Sequence, residues 1–305
     1  MKNKQMFGNL LLILGAFVWG MAFAFQRAGM ESIEPITFTS ARMALAALTA
    51  GSAALFLRKR APETESPAQT KARRRATILG GIVCGLFLTA ASIYQQTGLV
   101  TTSAGKAGFV TALYILLVPL LNLILFKKRC GVHVWIAIAI GVAGLYFLCM
   151  KEDFTLAPGD IQLCICALLF SGQILACAYY SRRGDPVCIA AIQLLTVAVI
   201  SGVLAFIAEE PSWDKLRAAA VPILYCGIMS GGVGYTLQMV AQRYTDPTVA
   251  SLLMSLESVF AVLGGALLLH ERMSGRELLG CVIMFIAIIL VQIPMPKRER
   301  ALSAE

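Results

Sequence analysis

Ten continuous apolar runs limit what this chain can become: residues 7–27, 36–57, 76–97, 105–126, 132–149, 158–180, 186–207, 219–241, 248–269 and 276–293. Each is close to the roughly 20 residues that a helix needs to cross a hydrocarbon core about 30 Å thick. Of the 305 residues, 58% are hydrophobic and 14% charged. A soluble domain carries about 25% charge, and an unfolded chain has far less apolar surface to bury. The runs are continuous rather than alternating, which argues against a membrane β-barrel. The expected fold is all-α and integral to a membrane, with ten transmembrane helices joined by short loops. The run after Lys2 and Lys4 is too long for a cleaved leader and is read as a retained helix.

Basic residues give an expected orientation. With the N-terminus inside, eighteen Lys and Arg fall in the inside loops and tails, and six fall opposite. Lys and Arg gather on the cytoplasmic side of membrane proteins. Both termini are therefore expected to be cytoplasmic. The net charge of +9 then needs no nucleic-acid partner and leaves some attraction to anionic membrane lipids. The most basic loop, 58–75, is read as a flexible linker.

The chain also repeats itself. At an offset of 151, Trp19-Gly20 falls on Phe170-Ser171, Pro35 on Pro186 and Arg42 on Gln193; later the offset becomes 144. The shorter counterpart of loop 58–75 accounts for the change. Each copy holds five runs. An odd number flips the second copy, so the pattern predicts two inverted five-helix repeats, an architecture of secondary transporters. Their expected extents are 8–150 and 158–293.

The residues available for chemistry are few. Glu257 lies mid-run, where a charge is costly and so faces the bundle interior. It is a candidate cation ligand, proton-coupling carboxylate or structural acceptor. Arg42 is a candidate carboxylate ligand, although snorkelling or structural pairing is the plainer reading. Lys106, opening the fourth run, is read as an interface or entry residue. Trp19, Phe23 and Gln26 share one helical face, and Tyr94, Gln95, Tyr114, Gln173, Tyr235 and Gln238 add aromatic rings and amides to a candidate solute cavity. Gly227, Gly231, Gly232 and Gly234 are read as a close-packing surface. Nine cysteines without a C-x-x-C spacing behave as small apolar residues, and two histidines without ligand spacing offer no metal site. No nucleotide-binding or hydrolase motif is present, so no cofactor is expected and energy comes from a gradient, with protons as one candidate coupling ion.

Trp19-Gly20, the Pro35…Arg42 spacing, Thr101-Thr102-Ser103-Ala104, the stretch from Lys106-Ala107-Gly108-Phe109 to Leu117-Val118-Pro119, and Ser255-Leu256-Glu257 before Leu267-Leu268-Leu269-His270-Glu271 together resemble the drug/metabolite transporter superfamily. The closer likeness is to its EamA-domain branch, over about residues 8–293. The resemblance implies a cytoplasmic-membrane carrier for small metabolites, often exporting amino acids or similar solutes. It also implies a midplane cavity lined by spans one, three, four, six, eight and nine. That branch often has Glu-Pro in the ninth helix; Ser258 stands in place of the proline, implying a straighter helix. Two other classes stay open on sequence: a multi-span enzyme acting on lipids, and a scaffold or sensor that transports nothing. Oligomeric state is not legible.

Overall fold

A computed structural model of the chain describes residues 2–57, 66–101, 104–128, 130–149, 158–268 and 274–292. Residues 58–65 of loop 58–75, Thr102-Ser103 and the stretch Leu269-His270-Glu271 lie outside these, as does the side chain of Lys106. Every regular element among the described residues is helical. The first half holds α1 (Lys2–Gly29), α2 (Pro35–Leu57), α3 (Pro67–Thr101), α4 (Ala104–Ala112), α5 (Tyr114–Phe126) and α6 (Val132–Cys149). The second holds α7 (Pro158–Tyr180), α8 (Pro186–Ala208), α9 (Trp213–Ala218) and α10 (Ala220–Leu224). A π-helical segment, Tyr225–Gly234, follows, and then α11 (Tyr235–Gln242), α12 (Pro247–Met254), α13 (Leu256–Leu268) and α14 (Gly275–Gln292).

Among the described residues each of the ten apolar runs is helical, interrupted by single residues at Leu113, Ala219 and Ser255. Among the described residues six helical stretches are long and apolar enough to cross a membrane: Asn3–Gly29, Pro67–Thr101, Ala107–Phe126, Pro158–Tyr180, Pro186–Ala208 and Ala220–Gln242. Val132–Leu148 and Pro247–Leu263 are shorter apolar helices. The runs are thus less uniform than the sequence suggests.

Two local features depart from expectation. The ninth run is not straighter; it breaks at Ser255, between α12 and α13. Ser251 and Ser255 each turn a hydroxyl onto the backbone carbonyl three residues earlier, at 2.9 and 2.7 Å. Ser258 N–H then bonds Ser255 O, tightening the turn. Serine back-bonding bends a helix without a proline. The second departure concerns the loop before α3, whose end is helical from Pro67. Ser66 and Gln69 form a reciprocal capping box, with Ser66 N–H donating to Gln69 Oε1 at 2.9 Å. Pro67 occupies the first helical position, where its missing N–H costs nothing.

Helix packing joins the two halves of the chain. α2 lies along α8, and α6 along α14. α3 packs on α7 and α8, while α1 and α2 pack on the π segment. α1 meets α12 and α13, and α7 meets α4 and α5. Glycines permit the closest approaches. A Cβ on Gly20 of α1 would sit 2.6 Å from Glu257 O and from Phe260 Cβ of α13. One on Gly231 would sit 2.4 Å from Ala46 Cβ of α2, so the glycines of the eighth run do serve packing.

Polar ties close both ends of the bundle. At one end, Thr245 donates to Asn9 Oδ1 at 3.1 Å, Arg182 donates to Thr245 O, and Asp185 N–H donates to Thr77 Oγ1. At the other end, Glu209 accepts from Ile36 N–H, Thr37 N–H and the Thr37 hydroxyl at 2.9, 2.7 and 2.7 Å. It caps α2 from the far half of the chain. Beside it, Lys215 pairs with Glu34.

Gly20→Val is expected to push α1 off α13, at a cost of about 1–3 kcal/mol for overpacking, read as a lower Tm of the purified chain. The Lys215 ammonium, by hydrogen bonding, holds the Glu34 carboxyl below its usual range. Such a group stabilises the fold above its unfolded pKa and loses that contribution as pH falls through the folded one. Lys215→Met should therefore lower Tm slightly at neutral pH, the half-exposed pair being screened. The gap to wild type should close below about pH 4. Melting curves across that range check both statements.

Candidate functional site

The break at Ser255 and the π segment both abut one central cavity. It encloses about 510 Å³ of space between atoms, including the part continuous with its mouth. Trp19, Phe23 and Gln26 reach it from α1, Arg42 from α2 and Gln95 from α3. Tyr114 enters from α5, Gln173 from α7, Tyr235 and Gln238 from α11, and Glu257 from α13. Tyr94 does not join them. One position along α3 from Gln95, it is 38% exposed and points away from the bundle.

Two charges face this cavity. Arg42 is only 3% exposed, so of the two plainer readings it does not snorkel outward and instead pairs inside the bundle. Its Nη1 donates to Gln26 Oε1 at 3.2 Å, and its guanidinium carbon lies 5.6 Å from the centre of the Phe38 ring. Its Nε is buried without a hydrogen-bond partner. Glu257 is 8% exposed and accepts from the Tyr114 hydroxyl at 3.0 Å. Among the described residues, no ion pair joins Arg42 to Glu257.

Aromatic rings and amides build the remaining walls. The Trp19 indole N–H donates to Ser230 O of the π segment at 3.0 Å, and the ring lies 5.2 Å from that of Tyr235. A Cβ on Gly234 would sit 2.5 Å from Trp19 Nε1, so the indole seats only against glycine. Gln173 and Gln238 exchange hydrogen bonds at 3.1 and 3.3 Å, and Gln173 also donates to Gln193 Oε1. One contact occurs twice. Arg42 bonds Gln26, and Gln193 bonds Cys177 at 3.6 Å; each partner of the second pair stands 151 residues after its counterpart.

Several lining residues were not singled out from sequence: Thr111, Phe170, Ile174, Ser230 and Met254. For Phe170 a signal existed, because the repeat aligns it with Trp19. The others carry no polarity or periodicity that separates them from packing residues. Ser230 joins because its backbone carbonyl is aimed by the π-helical turn, whose i→i+5 bonding often occurs at functional sites.

Comparisons with known proteins agree with this architecture. A curated relative from Archaeoglobus fulgidus, named an uncharacterized transporter, is 25% identical over 95% of this chain and 87% of its own length. The uncharacterized inner membrane transporter YedA of Escherichia coli is 27% identical over 93% of this chain and 92% of its own. An S-adenosylmethionine/S-adenosylhomocysteine transporter of Chlamydia muridarum is 25% identical over 90% of each chain. A crystal structure at 18% identity superposes with a TM-score of 0.76, covering 93% of this chain and 96% of that one, and shares the fold. The model of the EamA-like transporter family matches twice, at residues 6–150 and 157–293. The chain is a multi-helix membrane protein that belongs to the EamA-like transporter family.

Proposed function

We propose that the chain is a secondary carrier that exports a small amino-acid-like solute across the cytoplasmic membrane by alternating access. In this reading it has ten spans in two inverted repeats, 8–150 and 158–293, with both termini cytoplasmic. The observation that carries the proposal is the central cavity, where the buried Arg42 guanidinium and the buried Glu257 carboxyl face the same space without pairing to each other. Removing a charge from water without a partner costs several kcal/mol. A solute bearing both charges would repay that cost on entry. Its carboxylate fits the Arg42 guanidinium, which has donors to spare, and its ammonium fits Glu257 beside Tyr114. Trp19, Tyr235 and Phe170 offer apolar faces to the rest of the molecule. S-adenosylmethionine, named for the Chlamydia muridarum relative, carries the same amino-carboxylate group.

The packing supports the repeat. Almost every inter-helix contact has a partner in which the halves exchange roles: α3 on α7 answers α1 on the π segment and α11, and α7 on α4–α5 answers α1 on α12–α13. Two bundles so related can trade conformations, with the cavity opening to either side in turn. The doubled contact 26–42 and 177–193 fits the same relation. A lipid-modifying enzyme would instead need polar groups clustered at one interface, whereas these charges sit at the centre.

Proteoliposomes loaded with amino acids should show counterflow of a labelled zwitterion, and no counterflow of any zwitterion would overturn the reading. Arg42→Gln should weaken apparent affinity for the carboxylate-bearing solute about 10- to 100-fold, the scale of a lost charged hydrogen bond, and spare its decarboxylated amine. Glu257→Gln should leave counterflow measurable but abolish accumulation driven by a pH gradient. If that variant still accumulates solute on the gradient, Glu257 does not couple protons.

A further inference from the structure

α3 is longer than its membrane task requires. Its 35 residues extend about 52 Å at 1.5 Å per residue, against a hydrocarbon core of about 30 Å. The surplus is the N-terminal stretch Pro67–Ala76. Within it Lys71, Arg74 and Arg75 stand at i, i+3 and i+4 and so share one face. All three are exposed, and among the described residues none of them has a hydrogen-bond or ion-pair partner.

That face continues without a turn of offset. Ile78, Leu79, Ile82 and Leu86 are exposed directly below it. At 100° per residue the seven side chains fall within an arc of about 140°. Packing bounds this face: Gly80 on the opposite side lies against Tyr180 of α7, and Gly81 and Gly85 along one edge lie against Ile192 and Thr196 of α8. The arginines nearest this end in the neighbouring loop are already engaged. Arg182 donates to Thr245 O, while Arg183 lies 3.6 Å over the Tyr179 ring and donates to Tyr179 O.

We propose that α3 carries a docking site for an anionic phospholipid, with the phosphate against Lys71, Arg74 and Arg75 and an acyl chain along Ile78, Ile82 and Leu86. A soluble anion would use only the basic rung. A neutral lipid would use only the apolar one. Only a ligand with an anionic head on an apolar tail covers both, and the bilayer that holds the protein supplies it. Because α3 packs on α7 and α8, the lipid grips the first half of the chain where it bears on the second.

The test uses the purified full-length chain. Native mass spectrometry counts phospholipids retained from micelles containing equal phosphatidylglycerol and phosphatidylcholine, and Tm is followed as each lipid is added. Wild type should retain phosphatidylglycerol preferentially and gain Tm with it alone. The variant Lys71→Gln/Arg74→Gln/Arg75→Gln should lose affinity by about fivefold per charge, hence about a hundredfold. A control, Lys127→Gln/Lys128→Gln, removes two exposed charges at the same end of the bundle and should behave as wild type. A salt titration on wild type needs no variant: retention should fall as ionic strength rises. No headgroup preference in wild type, or equal retention by the triple variant, overturns the proposal. So does glycerol 3-phosphate raising Tm as much as the lipid, which would mark a plain anion site.

Discussion

A polar group inside a bilayer has only the protein to answer it, and most of this structure follows from that scarcity. Backbone amides find partners within helices, and the hydroxyls of Thr39, Thr49, Thr89 and Ser171 fold back onto carbonyls of their own turn. The groups that cannot be answered locally converge. Arg42, Glu257 and the amides of Gln26, Gln173, Gln193 and Gln238 all lie toward the middle of the bundle, where four or more helices can serve them at once. The helices facing the cavity are broken or, in the π segment, underwound. α4 gives way to α5 at Leu113, α12 to α13 at Ser255, and the eighth run widens into π-helix.

How much of this was written in the sequence depends on which physical signal each feature leaves. The ten apolar runs are legible because hydrocarbon admits little else for twenty residues at a time. The inward direction of Glu257 was legible for the same reason. Arg42 was harder: an arginine two turns from a helix end has enough length to leave the membrane, and only the presence of Gln26 on α1 decides that it stays. Tyr94 and Gln95 differ by one position and hence by about 100° around the helix. Phe87, two turns before Tyr94 on the same face, is exposed as well.

Features that rest on hydrogen-bond geometry left weaker traces. The break at Ser255 is produced by serine hydroxyls whose alternative, pointing at a neighbouring helix, has an identical sequence. The ten-residue π segment coincides with Gly227, Gly231, Gly232 and Gly234, yet glycines so spaced also describe a straight helix pressed against a neighbour, and here they do both. The helical extension of α3 was legible in Ser66-Pro67-x-Gln69, but the charge density of the following residues reads equally as a linker.

The cap that Glu209 places on α2 bears on how the protein is made. The amides of Ile36 and Thr37 enter the membrane early in synthesis, and their acceptor is a side chain 172 and more residues later. Until α8 has been threaded through, water or a lipid headgroup must stand in for it. The nascent second helix therefore waits in a provisional setting, and its cap is completed only once the ribosome has delivered the second helix of the second half.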